Sequence, residues 1–272
     1  MLRGAPNVMR PSRLREALRV SDTLGKQLGY SGLEIIHTHA SGILGTVFYQ
    51  GSKAVVKLGW EADVNQEACV MKSLHGKVPI PEVYSWGYVQ DWSYILMEYV
   101  EDGVRLLDFE GEPSNEFYLE MRRYVRIIRE QKIESSSFKA TEPYFVACAK
   151  DDRVCRDARD FMNQRLSRFG KTVSELPEYE FLLSHCDMMP RNIIISSDGC
   201  HVVSILDWEY AGYYPDFYEF YVYLHEFKAN NAPPSKFIDK WLEIFHTDSV
   251  IDVLKWEEFI SDSILRDLDS CA

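Results

Sequence analysis

Ser184-His-Cys-Asp-Met-Met-Pro-Arg-Asn-Ile-Ile-Ile-Ser196 is the stretch on which the reading of this chain turns. Asp187 and Asn192 stand five positions apart, directly ahead of an apolar run of β character. A second run, His201 to Leu206, follows a tight turn at Asp198-Gly199 and leads into Ser204-Ile-Leu-Asp-Trp-Glu-Tyr-Ala-Gly212. Asp207 therefore sits where that second run ends. Two β runs joined by a tight turn place an Asn and an Asp at one edge. A Mg²⁺–triphosphate needs hard oxygen ligands of this kind, with water and phosphate completing the octahedron. Asp187 is a second carboxylate near that edge, suited to accept a proton from an attacking hydroxyl.

Upstream, the pattern is of strands and one helix. Leu33 to His37, Thr46 to Gln50, Ala54 to Leu58, Val83 to Val89 and Tyr94 to Val100 read as strands. Gly42 to Gly45 breaks the first pair, and Gly51-Ser52 marks a hairpin. Between Asp63 and His75, Val64, Ala68, Met71 and Leu74 recur on one helical face. After Asp102-Gly103 the character changes. Ser114 is placed to cap a helix with Phe117, Met121, Tyr124, Val125 and Ile128 on one face. Further helices are expected over Arg156 to Arg168 and around Phe237, Trp241, Leu242 and Phe245. The fold class is α+β: a small β-rich lobe over residues 1–101, then a larger, mostly helical lobe over 102–272. A cleft between two such lobes is a favoured place for a ligand.

The two motifs resemble the H-G-D-x-x-x-x-N and I-D-W-E motifs of the aminoglycoside phosphotransferase and choline kinase-like family. The continuation Glu209-Tyr-Ala-Gly-Tyr-Tyr-Pro-Asp216 is similar to fungal members of the phosphotransferase enzyme family. Glu67 followed by Val78-Pro-Ile-Pro-Glu-Val83 extends the likeness upstream, so that it covers residues 35 to 230. The resemblance implies a two-lobed, protein-kinase-like fold with an antiparallel β-sheet and one helix in the N-terminal, nucleotide-binding lobe. The C-terminal lobe would be catalytic and substrate-binding. It implies transfer of the γ-phosphoryl group of ATP to a hydroxyl of a small molecule, with Mg²⁺.

Residue by residue, the resemblance makes Asp187 the catalytic aspartate, and Asn192 and Asp207 the metal ligands. Lys57 resembles the lysine that holds the α- and β-phosphates, and Glu67 its ion-pair partner, with Glu61 nearby as an alternative. Met97, Glu98 and Tyr99 correspond to the linker that meets adenine. Gly42 and Gly45, in Ser41-Gly-Ile-Leu-Gly45, stand where the family has its nucleotide loop, although two glycines also suit a plain hairpin. Cys186 replaces the glycine usual between His and Asp, and its small side chain is expected to be tolerated. His185, Trp208 and Glu209 read as scaffold. Glu219 and Glu226 are candidates to face a cationic substrate.

Composition narrows the alternatives. A 46% hydrophobic and 13% aromatic content across 272 residues is that of a globular chain with a large core, not a disordered one. The net charge of −12 argues against nucleic acid, whose phosphates are bound through Lys and Arg, and against anionic membrane surfaces. The six cysteines show no C-x-x-C pair and read as free thiols of a reducing compartment. No run approaches the ~20 apolar residues of a membrane helix. The basic N-terminus reads as a surface helix capped by Ser12 and closed by Gly29, with a transit peptide as the rival. A cytoplasmic monomer or homodimer is expected. A protein kinase is disfavoured, since Asp207 is followed by Trp-Glu where D-F-G would stand. The alternative is a nucleotide-binding or repurposed kinase-like protein acting on a metabolite without phosphoryl transfer.

Overall fold

The computed structural model describes residues 9–39, 42–60, 64–131 and 181–216, with the single positions 219, 240, 244 and 245. The described residues fall into two compact units that meet in sequence at Gly103 and Val104.

The first unit opens with helix α1, Pro11–Leu28. Pro11 takes the first helical position, where a missing N–H costs nothing. Arg10 therefore stands at the N-cap, with no side-chain capping bond, and Ser12 lies inside the helix and not at its cap. Gly29 ends the helix at φ 81° as expected. The helix is no mere surface feature. Ala17, Val20 and Leu24 are buried in one core with Ile43, Val47, Val56, Leu58, Trp92 and Leu96. The first unit thus holds both helices read from the sequence, the first of them packed into the core and not on the surface.

The sheet has five antiparallel strands in the order β1-β2-β3-β5-β4, formed by β1 (Tyr30–His39), β2 (Gly42–Tyr49), β3 (Ser52–Trp60), β4 (Val83–Val89) and β5 (Trp92–Glu98). The β2–β3 turn is Gln50-Gly51, one residue earlier than the sequence suggests. Tyr49 pairs with Ser52, and both turn residues have positive φ, 51° and 86°. That is the primed geometry whose twist matches a two-residue hairpin. Side chains along β3 alternate between the two faces of the sheet. Ala54, Val56 and Leu58 are buried on the α1 side, so Lys57 points to the other face. Helix α2, Val64–Leu74, buries Val64, Ala68, Met71 and Leu74, the stripe expected from the sequence.

The second unit begins with β6 (Val104–Arg105) and helix α3, Asn115–Arg129. The Ser114 hydroxyl accepts the Phe117 N–H at 3.4 Å, the cap read from the sequence. Tyr118, not Tyr124, completes the buried face with Phe117, Met121, Val125 and Ile128. Strand β7 (Phe181–Ser184) pairs with β10 (Gly212–Pro215). Strand β8 (Ile193–Ile195) pairs with β9 (Val202–Ile205) and with β6. The described elements of this unit are therefore one α-helix, two 3₁₀ turns (Leu106–Asp108 and Pro190–Asn192) and five short strands. The expected helix over Arg156 to Arg168, and Phe237, Trp241 and Leu242, lie outside the described residues. Among the described residues no helix is long and apolar enough to cross a membrane.

Candidate active site

In the first unit, the Lys57 Nζ lies 2.9 Å from Glu67 Oε2. Strand alternation sends Lys57 away from the α1 core, and the first turn of α2 carries Glu67 to meet it. Glu67 is 2% exposed and Lys57 18%, so the pair is largely withdrawn from water. The contact is short but not aligned as a hydrogen bond, so it acts as an ion pair. Glu67 is thus the partner of Lys57 that the sequence suggested; Glu61 lies outside the described residues.

Gly42 and Gly45 do not form a break: both belong to β2. A Cβ on Gly42 would collide with the Leu58 carbonyl. One on Gly45 would come within 2.6 Å of Leu33 Cδ1 and 2.8 Å of the Glu34 carbonyl. Close strand packing, and not turn chemistry, accounts for both glycines here. Met97 and Glu98 end β5, with Tyr99 just beyond. The Glu98 N–H donates to the Glu82 carbonyl at 2.8 Å, and the Glu82 N–H returns to Glu98 Oε2 at 3.0 Å. The Lys53 ammonium lies 4.2 Å from the centre of the Tyr99 ring.

In the second unit, Asp187 is held on every side. Asn192 Nδ2 donates to Asp187 Oδ2 at 2.6 Å and to its carbonyl at 2.9 Å. Arg191 Nη2 donates to Oδ1 at 2.5 Å. The Asp187 N–H donates to His185 Nδ1 at 3.2 Å. The far ring nitrogen of His185 meets the Leu206 carbonyl at 2.9 Å, so Nε2 carries the proton and Nδ1 accepts. Trp208, fully buried, packs with its ring centre 4.5 Å from that of His185. Burial pushes the His185 pKa down to about 4, so the ring is neutral across the physiological range. These contacts give His185 and Trp208 the scaffold roles expected.

The Leu206 N–H donates to the Asn192 carbonyl at 2.7 Å. That bond extends the β8–β9 pairing by one step, so Asn192 and Asp207 lie at the same end of the two strands, as the two β runs implied. Asn192 spends its amide N–H groups on Asp187, which leaves its oxygen Oδ1 as the ligand atom. With the Asp207 carboxylate it offers hard oxygens of the type Mg²⁺ takes, so this donor set fits the metal. Asp207 has φ 61°, a left-handed conformation that Asp tolerates better than most residues. Glu209 is exposed. One of its carboxylate oxygens lies within 4.8 Å of one from Asp207.

Three features escaped the sequence. Arg191 is the first; its signal was a cation one turn after Asp187, on the same side of a tight loop. The second is the backbone at Cys186, expected only to be tolerated in place of glycine: its φ of 59° is a strained choice for a residue with a Cβ, at roughly 1–2 kcal/mol. Burial raises its thiol pKa, so it is an inert thiol and not a nucleophile. The third is Glu219. It is 3% exposed, and its Oε1 accepts the N–H groups of both His185 and Cys186 at 3.0 Å. It therefore does not face a substrate; Glu226 lies outside the described residues. Burial raises the Glu219 pKa to about 7, against the pull of Arg129 and the two N–H groups.

The second unit thus carries an Asp–Asn pair on a tight loop and an Asp closing the next strand, and the first unit carries a Lys–Glu pair between β3 and α2. The model of the phosphotransferase enzyme family matches residues 36–249, well over half of the chain, and the chain belongs to that family. Solved structures agree on the fold. The aminoglycoside-3'-phosphotransferase of type VIII is 16% identical, with a TM-score of 0.57 over 93% of this chain and 95% of that one. The aminoglycoside phosphotransferase APH(3'')-Id from Streptomyces rimosus is 16% identical, with a TM-score of 0.57 over 89% and 95%. A thermostable mutant of aminoglycoside phosphotransferase APH(4)-Ia, in a ternary complex with AMP-PNP and hygromycin B, is 16% identical, with a TM-score of 0.54 over 92% and 98%. A search among curated protein sequences gave no match.

Proposed function

We propose that the protein transfers the γ-phosphoryl group of ATP to a hydroxyl group of a small molecule, with Mg²⁺. The observation that carries this reading is the state of Asp187. Both of its carboxylate oxygens are oriented, by Arg191 and Asn192, and its backbone is tied to His185. A carboxylate held in one orientation is what a proton acceptor for an attacking hydroxyl requires. Asn192 and Asp207 would hold Mg²⁺, which supplies charge neutralisation on the phosphates. Lys57, kept extended by Glu67, would bind the α- and β-phosphates. Because the Glu98 N–H is already donated to the Glu82 carbonyl, adenine would meet other backbone groups of the 97–99 stretch. The nucleotide assignment is supported by the AMP-PNP complex of the similar fold. Catalysis in this scheme comes from positioning and electrostatics, with no covalent intermediate.

Thermal unfolding with and without Mg·ATP tests it, for wild type and for Asp207→Ala. Nucleotide at about 100 times its dissociation constant adds roughly 2.7 kcal/mol, a shift of several degrees for a chain of this size. The shift should require Mg²⁺ and be lost in Asp207→Ala. An equal shift in the variant would remove Asp207 from the site.

A further inference from the structure

The loop that carries Asp187 is buried along its length, with one exception. From Leu183 to Ile193 every residue is buried but Arg191. Arg191 lies in the 3₁₀ turn Pro190–Asn192, directly before Asn192. Its side chain is 44% exposed, and its Nη2 donates to Asp187 Oδ1 at 2.5 Å. The other carboxylate oxygen, Oδ2, accepts from Asn192 at 2.6 Å. A hydroxyl that gives its proton to Asp187 must therefore share an oxygen with one of these two donors. Asn192 is buried and Arg191 is not, so the approach to Oδ1 runs beside the guanidinium. The atoms that flank the acceptor hydroxyl then come close to a fixed positive charge. The acidic groups nearby do not take its place. Glu219, a candidate from the sequence to face a cation, is buried. Asp207 belongs to the proposed metal site, and the exposed Glu209 lies beside it, where Mg²⁺ would balance their charge.

We infer that Arg191 is a specificity-determining residue: its guanidinium selects a hydroxy acid, an acceptor with a carboxylate next to the hydroxyl that receives the phosphoryl group. The inference rests on the reading of Asp187 as the proton acceptor and names the substrate class of that site. A guanidinium presents five N–H donors in a planar fork that matches a carboxylate. The exposed part of the fork can take the acceptor carboxylate while Nη2 keeps Asp187. A single negative charge suits one guanidinium that already shares an aspartate. In the step itself the acceptor oxygen bonds to the γ-phosphorus and the bond from that phosphorus to the bridging oxygen breaks. ADP leaves, and the hydroxyl proton passes to Asp187. The acceptor carboxylate is unchanged and only orients the hydroxyl. An ammonium group in the same place would be repelled, so an aminoglycoside carries the wrong charge for this approach.

The test uses the full chain with Mg·ATP and two matched sets of acceptors: glycerate, glycerol and aminopropanediol, then gluconate, glucitol and glucamine. Within each set the members differ chiefly in the charge of one terminal group. ADP release and phosphate ester formation give kcat/KM for wild type, Arg191→Gln, Arg191→Lys and Arg191→Glu. A hydrogen bond between charged partners is worth about 10- to 100-fold, so wild type should favour the acid over the neutral polyol by that factor, with the amine slowest. Arg191→Gln should reduce the acid-to-neutral ratio at least about 10-fold, and Arg191→Lys should keep part of it. Arg191→Glu should put the amine ahead of the acid. Loss of Arg191 also loosens Asp187, which lowers the rate with every acceptor. A purely orienting role would leave the ratio unchanged. An equal ratio in wild type and Arg191→Gln, or a wild type that prefers the amines, overturns the inference and leaves phosphoryl transfer standing. If no acceptor accelerates ADP release, the phosphotransferase reading fails and binding decides the inference. With Mg·ADP present, the acids should raise the wild-type thermal midpoint more than the amines do, and Arg191→Gln should abolish the difference. Equal midpoints with acids and amines overturn the inference in that case.

Discussion

Lys57→Met isolates the energetics of the ion pair in the first unit. Methionine keeps the length and apolar stem of lysine but removes the ammonium, so Glu67 loses the charge 2.9 Å away. Glu67 is 2% exposed and cannot turn to water. Removing one partner of a buried pair costs roughly 3–5 kcal/mol. Lys57 is itself partly exposed, which places the cost near the lower end, about 3 kcal/mol. For a chain of this size that is a fall of roughly 6–12 °C in Tm. Replacing both residues, Lys57→Met with Glu67→Met, removes the stranded charge and should bring stability back to within about 1 kcal/mol of wild type. Urea unfolding of the two single variants and the double variant gives the coupling directly. If Lys57→Met unfolds like wild type, or if the double variant is as unstable as the sum of the two single ones, the pair is not the unit described here.

Two opposed titrations predict how stability varies with pH. His185 has its pKa lowered to about 4 in the folded state, so its contribution is present above the unfolded value of 6.5 and is lost as pH falls through 4. Glu219 has its pKa raised to about 7, so its contribution is present below the unfolded value of 4.5 and is lost as pH rises through 7. Each amounts to about 3 kcal/mol at most, and the two nearly offset between pH 4.5 and 6.5. Glu219→Gln should therefore unmask the histidine: its urea midpoint should climb from pH 4 to 6.5 more steeply than that of wild type. Parallel curves for the two proteins would show that Glu219 does not titrate as its burial implies.

Much of the site was legible because its signals are local. Asp187, Asn192 and Asp207 lie at fixed offsets from two apolar runs, and those runs do form β8 and β9. Lys57 and Glu67 came from the resemblance; the alternation of β3 then sets Lys57 opposite Val56 and Leu58, and the first turn of α2 brings Glu67 to it. What escaped is non-local or depends on backbone conformation. Glu219 accepts the N–H groups of His185 and Cys186 across more than 30 residues of chain, a contact that no local pattern announces. Gln50 carries positive φ where Gly51-Ser52 offered the more usual turn chemistry. Gly42 and Gly45 looked like a break because glycine marks both turns and crowded strands, and only the packing of Leu33, Glu34 and Leu58 tells which applies.

Phosphoryl transfer through Asp187 is decided by ADP release with a panel of hydroxyl-bearing small molecules, comparing wild type with Asp187→Ala in the presence of Mg²⁺. At least one acceptor should accelerate ADP release and gain a phosphate ester. Asp187→Ala should lose about 10²–10⁴ of that rate, the usual contribution of a positioned proton acceptor. Acceptor-independent ADP release throughout, or an Asp187→Ala variant as fast as wild type, would contradict the assignment.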